Sequence, residues 1–297
     1  MKILLLGHEG YLGRGLFAYL QRRQHEVIGW DKKEDLFNLD AAFLARSGIE
    51  LLINLSVAAD RQAANYQIDS ATDLVNVQGA RHIASALKGS DTTWIQMSTR
   101  EVLGPVYGID DVVETEQGYR PKRLVKEDQP YAPTNLYGKS KVMAELISES
   151  HPRSNVVRLT TCYTDYDHPA GNWVLALIRA ATTGKPVRLT AGGRQFRDPL
   201  HIDDLGALME QLHEKKIAGE KIHAGGGEQN YISLLELVKQ ANPAVVVESA
   251  PGGDYGFAFD IDKAARLVGW RPQLLIKDRI KIIADNIARG VQMPPGI

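Results

Sequence analysis

Cysteine occurs once in the 297 residues, at Cys162. That excludes an internal disulfide and a multi-cysteine zinc site, and it fits a reducing, cytoplasmic setting. No metal site is expected. An excess of one charge is also missing. The chain carries 35 basic and 36 acidic residues, a formal net charge of -1. A general nucleic-acid binder needs a basic face, so no nucleic-acid partner is expected. An anionic small ligand held by a few placed arginines stays open. No apolar run approaches the roughly 20 residues of a membrane helix, so no membrane partner is expected. The opening MKILLLGHEG reaches glycine without the longer apolar core and cleavage site of a signal peptide. Long repeats, low-complexity tracts and charge blocks are lacking.

What is present is an ordinary globular composition, 44% hydrophobic and 24% charged. The length suits one large α/β domain or two lobes sharing a cleft. KILLL reads as a buried parallel strand, followed by HEVIGWD, ELLINLS, TTWIQMST and SNVVRLT. Helical patterns lie between them: GYLGRGLFAYLQRR, DAAFLARSG, ATDLVNVQGARHIASALKG and NLYGKSKVMAELISES. Such alternation predicts an α/β fold with a doubly wound parallel sheet. After about residue 165 the elements shorten and Gly, Pro and charge punctuate them. The expected division is a nucleotide-binding domain over 1–165, which also receives approximately 198–224, and a smaller mixed α/β lobe over 166–297.

Residues 7–13 read GHEGYLG, a G-x-x-G-x-x-G turn directly after the first strand and opening a helix. Gly7 permits the tight turn, Gly10 lets the backbone approach a pyrophosphate, and Gly13 lets helix and strand pack. Tyr11 and Leu12 belong to the same turn. The helix N-terminus offers N–H groups and positive potential to phosphates. Asp31 ends the second strand, where an acid accepts from the adenosine ribose hydroxyls. A carboxylate there repels a 2′-phosphate, so NAD is favoured over NADP. Asp35 and Leu36 are expected near the adenine, unless Asp35 only caps a turn. Leu55, Ser56 and Val57 are expected along the middle of the cofactor.

PTNLYGKSKVMAE places Tyr137 and Lys141 four apart, on one helix face. With eleven tyrosines in the chain, a Y-x-x-x-K match is about an even-odds event, so its position after the fourth strand carries the weight. A phenol with a pKa of about 10 is a poor base at pH 7. A nearby ammonium and a positive nicotinamide both favour the phenolate. Lys141 would also bond the nicotinamide ribose. MSTREVLG supplies Ser98 and Thr99 as hydroxyls for the substrate oxygen, or as turn caps. Asn76, an amide on an apolar helix face, either satisfies nearby backbone or orders a water at the cofactor site.

Together GHEGYLG, NVQGARHI, STREVLG, YGKSK, FRDPLHIDD, HAGGGEQNYISLLEL and DIDKAARLVGWRP resemble the extended short-chain dehydrogenase/reductases, specifically the NAD-dependent nucleotide-sugar epimerase/dehydratase family. The resemblance runs from residue 3 to about 272. It implies a Rossmann-type fold, NAD on Gly7, Gly10, Gly13 and Asp31, and catalysis by Thr99, Tyr137 and Lys141. Thr99 is the matching hydroxyl because it lies five before Gly104. It implies a nucleotide sugar as the small-molecule partner. Asn172 matches the family's diphosphate-contacting asparagine. Arg197 matches its phosphate-binding arginine, with an ion pair to Asp198 or Asp203 as the other reading; Arg194 is a neighbour. Thr161, Arg100 and Glu101 join the expected substrate site. A homodimer is expected through the helices around VQGARHIASALKG and YGKSKVMAELISES.

The departures are specific. Val102-Leu103-Gly104 stands for Val-Tyr-Gly, TCYTD for Asn-Val-Tyr-Gly-Pro, and PGGD for R-P-G-D, so Pro251 replaces a phosphate-binding arginine and leaves Asp254. Sugar 4,6-dehydratases carry Asp-Glu after the threonine, where this chain has Arg100-Glu101. Loss of that aspartate disfavours standard dehydration, which needs an acid and a base. Arg100 either meets a sugar carboxylate or points to solvent. The resulting expectation is a nucleotide-sugar epimerase acting by transient oxidation at C4. The alternatives are a 4-keto-sugar reductase using NAD(P)H, a dehydratase or decarboxylase of the same family, and a non-catalytic NAD-binding sensor.

Overall fold

A computed structural model describes residues 1–31, 36–168 and 171–292. Asp35 lies outside the described residues.

Six strands make the main sheet: β1 (Lys2–Leu6), β2 (Glu26–Trp30), β3 (Leu51–Asn54), β4 (Thr93–Thr99), β5 (Ser154–Leu159) and β6 (Glu220–Ala224). Their order is β6-β5-β4-β3-β1-β2 and every pairing is parallel. Strands β3, β4 and β5 are buried along their whole length. Helices cover both faces, so β1 and β3 read as apolar runs, while the polar side chains of β4 and β5, such as Gln96, Asn155 and Arg158, are buried with hydrogen-bond partners.

The first helices are α1 (Tyr11–Arg22), α2 (Ala41–Ser47), α3 (Gly79–Ala86) and α4 (Leu136–Ser148). A π-helical stretch, Leu74–Gln78, leads into α3. Local chemistry sets the boundaries. Asp40 caps α2 by accepting from the Phe43 N–H, and Gly48 ends that helix in the left-handed region. Asn135 caps α4 through the Gly138 N–H. The chain passes from β1 through α1 to β2 on one side, then returns to β3 on the other. The strand order therefore reverses between β1 and β3, where open α/β sheets form their ligand crevice.

The remaining helices are α5 (Trp173–Thr182), α6 (Ile202–Glu214), α7 (Leu234–Ala241), α8 (Asp262–Val268) and α9 (Ile276–Ala288). Helix α6 packs on α1, where the Tyr19 hydroxyl donates to Glu210 at 2.6 Å and Gly206 leaves room for the Tyr19 ring. It leads into β6, which joins the sheet beside β5. Helices α5, α7 and α9 enclose a separate apolar core around Val174, Ile178, Leu237, Ile280 and Ile283. Short pairs complete this second lobe, among them Phe196–Arg197 with Ile232–Ser233 and Val187–Thr190 with Val247–Ala250. Asn172, Trp173, Arg197 and Leu234 from these elements line one cavity with Thr99 and Leu159 at the carboxyl ends of β4 and β5.

Candidate active site

Two cavities meet at the crevice. One, of about 590 Å³, is bounded by Gly7, Gly10, Asp31 and Ser56; the other, of about 650 Å³, by Thr99, Tyr137, Lys141 and Arg197. Leu55 and Val57 line both.

The glycines build the first cavity. Gly7 turns the chain at φ +79°, and its N–H donates to the Trp30 carbonyl at 2.8 Å. A Cβ on Gly13 would stand 2.1 Å from the Gly7 carbonyl oxygen and 2.6 Å from His8 Cα. Gly10 is the N-cap of α1 and brings no side chain to it, and the first turn holds no acid. The helix end therefore presents its first-turn N–H groups to the cavity. These features fit a dinucleotide: a bare backbone cradle for a pyrophosphate, with an acid at the end of β2. Asp31 lines the cavity, and one of its oxygens accepts the Glu9 N–H at 2.9 Å. Leu36, in a 3₁₀ turn over Leu36–Asn38, forms the opposite wall with Phe37. Tyr11 and Leu12 open toward the second cavity instead, and the Tyr11 hydroxyl accepts the Thr164 N–H at 3.0 Å.

Asn76 is a brace. Its amide oxygen accepts the Ala58 N–H at 3.0 Å, and its nitrogen donates to the Ala58 carbonyl and the Ser140 hydroxyl, both at 2.8 Å. Ser140 in turn donates to the Tyr137 carbonyl. The amide is spent tying the loop after β3 to α4, which is the backbone-satisfying alternative for this residue.

Thr99 ends β4, and Tyr137 and Lys141 lie on the first turns of α4. All three are buried. The Thr99 hydroxyl accepts the Glu101 N–H at 3.3 Å and lines the same cavity as the Tyr137 phenol. Burial pushes that phenol up to about 12; the Arg61 charge is the strongest effect opposing it, Glu101 adds to the rise, and Thr99 opposes it. The expectation that Lys141 supplies the cation beside the phenol is corrected here. Lys141 Nζ donates to the Met97 carbonyl at 3.1 Å, and burial lowers its pKa to about 8 against the pull of Glu145. The cation over the ring is Arg61, whose Cζ lies 4.5 Å from the ring centroid. Arg61 sits in a loop that docks on α4, where Asp60 and Ala63 carbonyls accept the Tyr137 and Leu136 N–H groups.

Glu101 is paired. Its oxygens accept Arg61 Nε at 2.6 Å and Asn135 Nδ2 at 3.0 Å. Arg100 lies over the Phe257 ring at 5.1 Å. Arg197 faces the second cavity but its ion pair is with Asp254, at 3.0 Å, whereas Asp203 pairs with Arg22. The readings that paired Arg197 with Asp198 or Asp203 fail because both carboxylates are directed elsewhere. Asp198 is fully buried, and burial raises its pKa to about 8. Arg194 reaches away to Glu114. Asn172 lines the cavity, but it caps α5 through the Val174 N–H at 3.0 Å and donates to the Cys162 carbonyl. Thr161 accepts from the Trp173 indole at 2.9 Å. Sequence reasoning missed Arg61, Trp30 and Trp173 as cavity residues. None belongs to a spaced motif; Trp30, next to Asp31, and Trp173, next to Asn172, carried a positional signal. Among the described residues no group of His, Cys, Asp and Glu is placed to hold a metal, and no helix is long and apolar enough to cross a membrane.

Comparison with known proteins bears on the arrangement. The dTDP-glucose 4,6-dehydratase of Neisseria meningitidis is 26% identical over 326 residues, covering 91% of this chain and 88% of that protein. The dTDP-4-dehydrorhamnose reductase of Aggregatibacter actinomycetemcomitans is 27% identical, over 75% of this chain and 71% of its own. The solved structure of UDP-glucuronic acid 4-epimerase from Bacillus cereus, in complex with NAD, superposes with a TM-score of 0.79 at 22% identity, covering 97% of this chain and 99% of that one. At that identity the likeness speaks for the fold. A family model described as the NAD dependent epimerase/dehydratase family matches residues 3–225. With three quarters of its length so matched, and with its glycine turn, hydroxyl, phenol and lysine gathered at one crevice, the chain belongs to the NAD-dependent epimerase/dehydratase family of enzymes.

Proposed function

We propose that this enzyme is a nucleotide-sugar epimerase acting by transient oxidation at C4 of a nucleotide-activated hexose. The observation that carries the reading is the meeting of two cavities at Leu55 and Val57, one floored by Gly7 and Gly10, the other walled by Thr99, Tyr137 and Lys141. NAD in the glycine cavity would accept a hydride and return it. Gly7, Gly10 and Gly13 would seat its pyrophosphate and Asp31 its adenosine ribose. Tyr137 takes the C4 hydroxyl proton, Thr99 orients that hydroxyl, Arg61 supplies the positive field that makes the phenolate accessible, and Lys141 would bond the nicotinamide ribose. The keto-sugar turns and the proton and hydride return on the other face.

Epimerisation is favoured over dehydration by Glu101. Its carboxylate is held by Arg61 and Asn135, and Arg100 occupies the neighbouring position. Elimination needs a free acid and base there. The test is incubation with UDP- and dTDP-hexoses without added NADH, with products read by NMR. C4 epimers should form, and Tyr137→Phe should cut turnover at least 10³-fold while NAD stays bound. Stoichiometric consumption of added NADH would instead identify a 4-keto-sugar reductase. Unchanged turnover in Tyr137→Phe would sink both. We also infer a homodimer through α4 and the π-helical stretch leading into α3, where Leu146 and Leu74 are exposed; light scattering reads it directly.

A further inference from the structure

The segment between β4 and α4, residues 104–135, begins shortly after Thr99 and ends shortly before Tyr137. Both of its ends are therefore fixed at the reacting end of the second cavity. Its root is closed. A Cβ on Gly104, at φ +65°, would stand 2.2 Å from the Ala132 carbonyl oxygen, and the Ala132 N–H donates to the Val102 carbonyl at 3.0 Å. Farther out, the segment forms an antiparallel hairpin, Val112–Thr115 with Gly118–Pro121.

The tip of that hairpin grips the second lobe. The Tyr119 N–H donates to the Arg194 carbonyl at 2.7 Å, and Arg194 Nη2 donates back to the Thr115 carbonyl at 2.8 Å. The Ser233 hydroxyl donates to the Gln117 carbonyl. Arg120 reaches Glu236 at 2.7 Å, and Glu236 completes the Ser233 capping box at the start of α7. Gly118, at φ +121°, lies so close that a Cβ would stand 2.6 Å from the Arg194 carbonyl oxygen and 2.8 Å from Ser233 Cβ. Arg194 and Ser233 bound the short strand pair that carries Arg197, and Leu234 of the cavity wall follows Ser233. The Tyr119 ring also packs on Tyr255, next to the Asp254 that pairs with Arg197, with centroids 5.3 Å apart.

We propose that this hairpin is a positioning strap: through Gly118 and Arg120 it sets where the Arg197 wall of the cavity stands relative to Thr99 and Tyr137. This rests on the reading above that the cavity takes a nucleotide sugar, which must be held at its diphosphate end while its sugar end reacts. Both ends of the cavity are then tied by one stretch of chain. Its roots lie beside the hydroxyl and the phenol, and its tip lies on the arginine strand. Glu236 is buried and Arg120 is mostly so, which leaves their attraction less screened than that of a surface pair. With the tip held by two backbone carbonyls, one ion pair and a glycine contact, the wall has little slack. Slack matters because a misplacement of about 1 Å between bound and reacting groups costs rate about 10²-fold. Arg120 acts through Glu236 and Ser233, so it is a positioning residue and not a catalytic one.

The test compares Arg120→Gln, Arg120→Lys and Gly118→Ala with the wild type, all carrying NAD. Amide hydrogen exchange reads the wall directly. In Arg120→Gln and Gly118→Ala, residues 194–198 and 231–237 should exchange roughly tenfold faster while β1 and β4 keep their protection. Arg120→Lys should restore most of the difference. On the UDP- or dTDP-hexose that the enzyme turns over, kcat should fall about tenfold. The affinities for UDP, by calorimetry, and for NAD, by Trp30 quenching, should stay within about twofold, since each ligand alone needs only its own wall. Wild-type exchange at both segments in both variants overturns the proposal. Faster exchange with unchanged kcat also overturns it, by leaving the hairpin a stability element. So does a parallel loss of kcat, UDP affinity, NAD affinity and β-sheet protection, which is general loosening. A wild type that binds neither UDP nor dTDP and turns over no sugar nucleotide removes the nucleotide-sugar reading instead. The exchange result alone then upholds or overturns the strap.

Discussion

The glycine turn permits a paired perturbation whose two halves fail in different ways. In Gly13→Ala the new methyl would sit 2.1 Å from the Gly7 carbonyl oxygen and 2.6 Å from His8 Cα. Both are backbone atoms of the turn after β1 and cannot swing aside, so α1 must move off the sheet by about 1 Å to restore contact distance. Overpacking of this kind costs about 1–3 kcal/mol, against roughly 1 kcal/mol regained from better helix propensity. The net loss, up to about 2 kcal/mol, lowers the melting temperature by a few degrees at most for a chain of this size. In Gly10→Ala the methyl stands 3.3 Å from the Gly7 oxygen, and the backbone at φ -68°, ψ 167° suits any residue. The fold should be kept, at a cost of a few tenths of a kcal/mol. The methyl would, however, occupy the lip where a pyrophosphate meets the helix N-terminus. NAD affinity should drop roughly ten- to hundredfold, about 1.4–2.7 kcal/mol. Thermal melts read the first effect. Quenching of the cavity-lining Trp30 on NAD titration reads the second. Wild-type melting of Gly13→Ala would refute the packing argument, and undiminished NAD binding by Gly10→Ala would refute the placement of the pyrophosphate.

Removing the cation over the phenol, as in Arg61→Met, should raise the Tyr137 pKa further; the rising limb of kcat/KM then moves to higher pH by roughly half to one unit, and activity at pH 7 falls accordingly. A pH–rate profile with an unmoved limb would show that Arg61 is electrostatically idle. Glu145, fully buried, holds Arg158 Nη2 at 2.8 Å and also accepts from Ser98 and Tyr131. Glu145→Gln would leave the Arg158 charge uncompensated, and urea unfolding should show a loss of about 3–5 kcal/mol; a loss below 1 kcal/mol would contradict that account. Asp198 has a folded pKa of about 8 against 3.8 for the free group. Folding therefore takes up a proton between those values. This contribution to stability is complete below pH 4 and is lost as pH climbs through 8. The wild type should lose about 1.4 kcal/mol per pH unit across pH 5–7 from this group, and Asp198→Asn should flatten that slope in denaturant titrations. An unchanged slope would place the proton elsewhere.

The amino-acid sequence by itself determined the elements and the two local motifs. Runs such as ILLL in β1 and LLI in β3 are apolar on both faces because helices cover both sides of a parallel sheet, and that demand is written in contiguous residues. The glycine turn was legible for the same reason: its demands on φ and on close approach act within seven residues. Tyr137 and Lys141 share a face by helical period alone. What only the tertiary structure decided is who meets whom across the crevice. Arg61, from a loop without any motif, took the place over the phenol because the Asp60 and Ala63 carbonyls dock on α4. Arg197 found Asp254, 57 positions away, instead of its near neighbours. Asn172 and Asn76 became a cap and a brace because unpaired backbone groups lay beside them. Charges and amides select partners through space, within a few ångströms and under burial, and linear spacing carries almost no record of that choice.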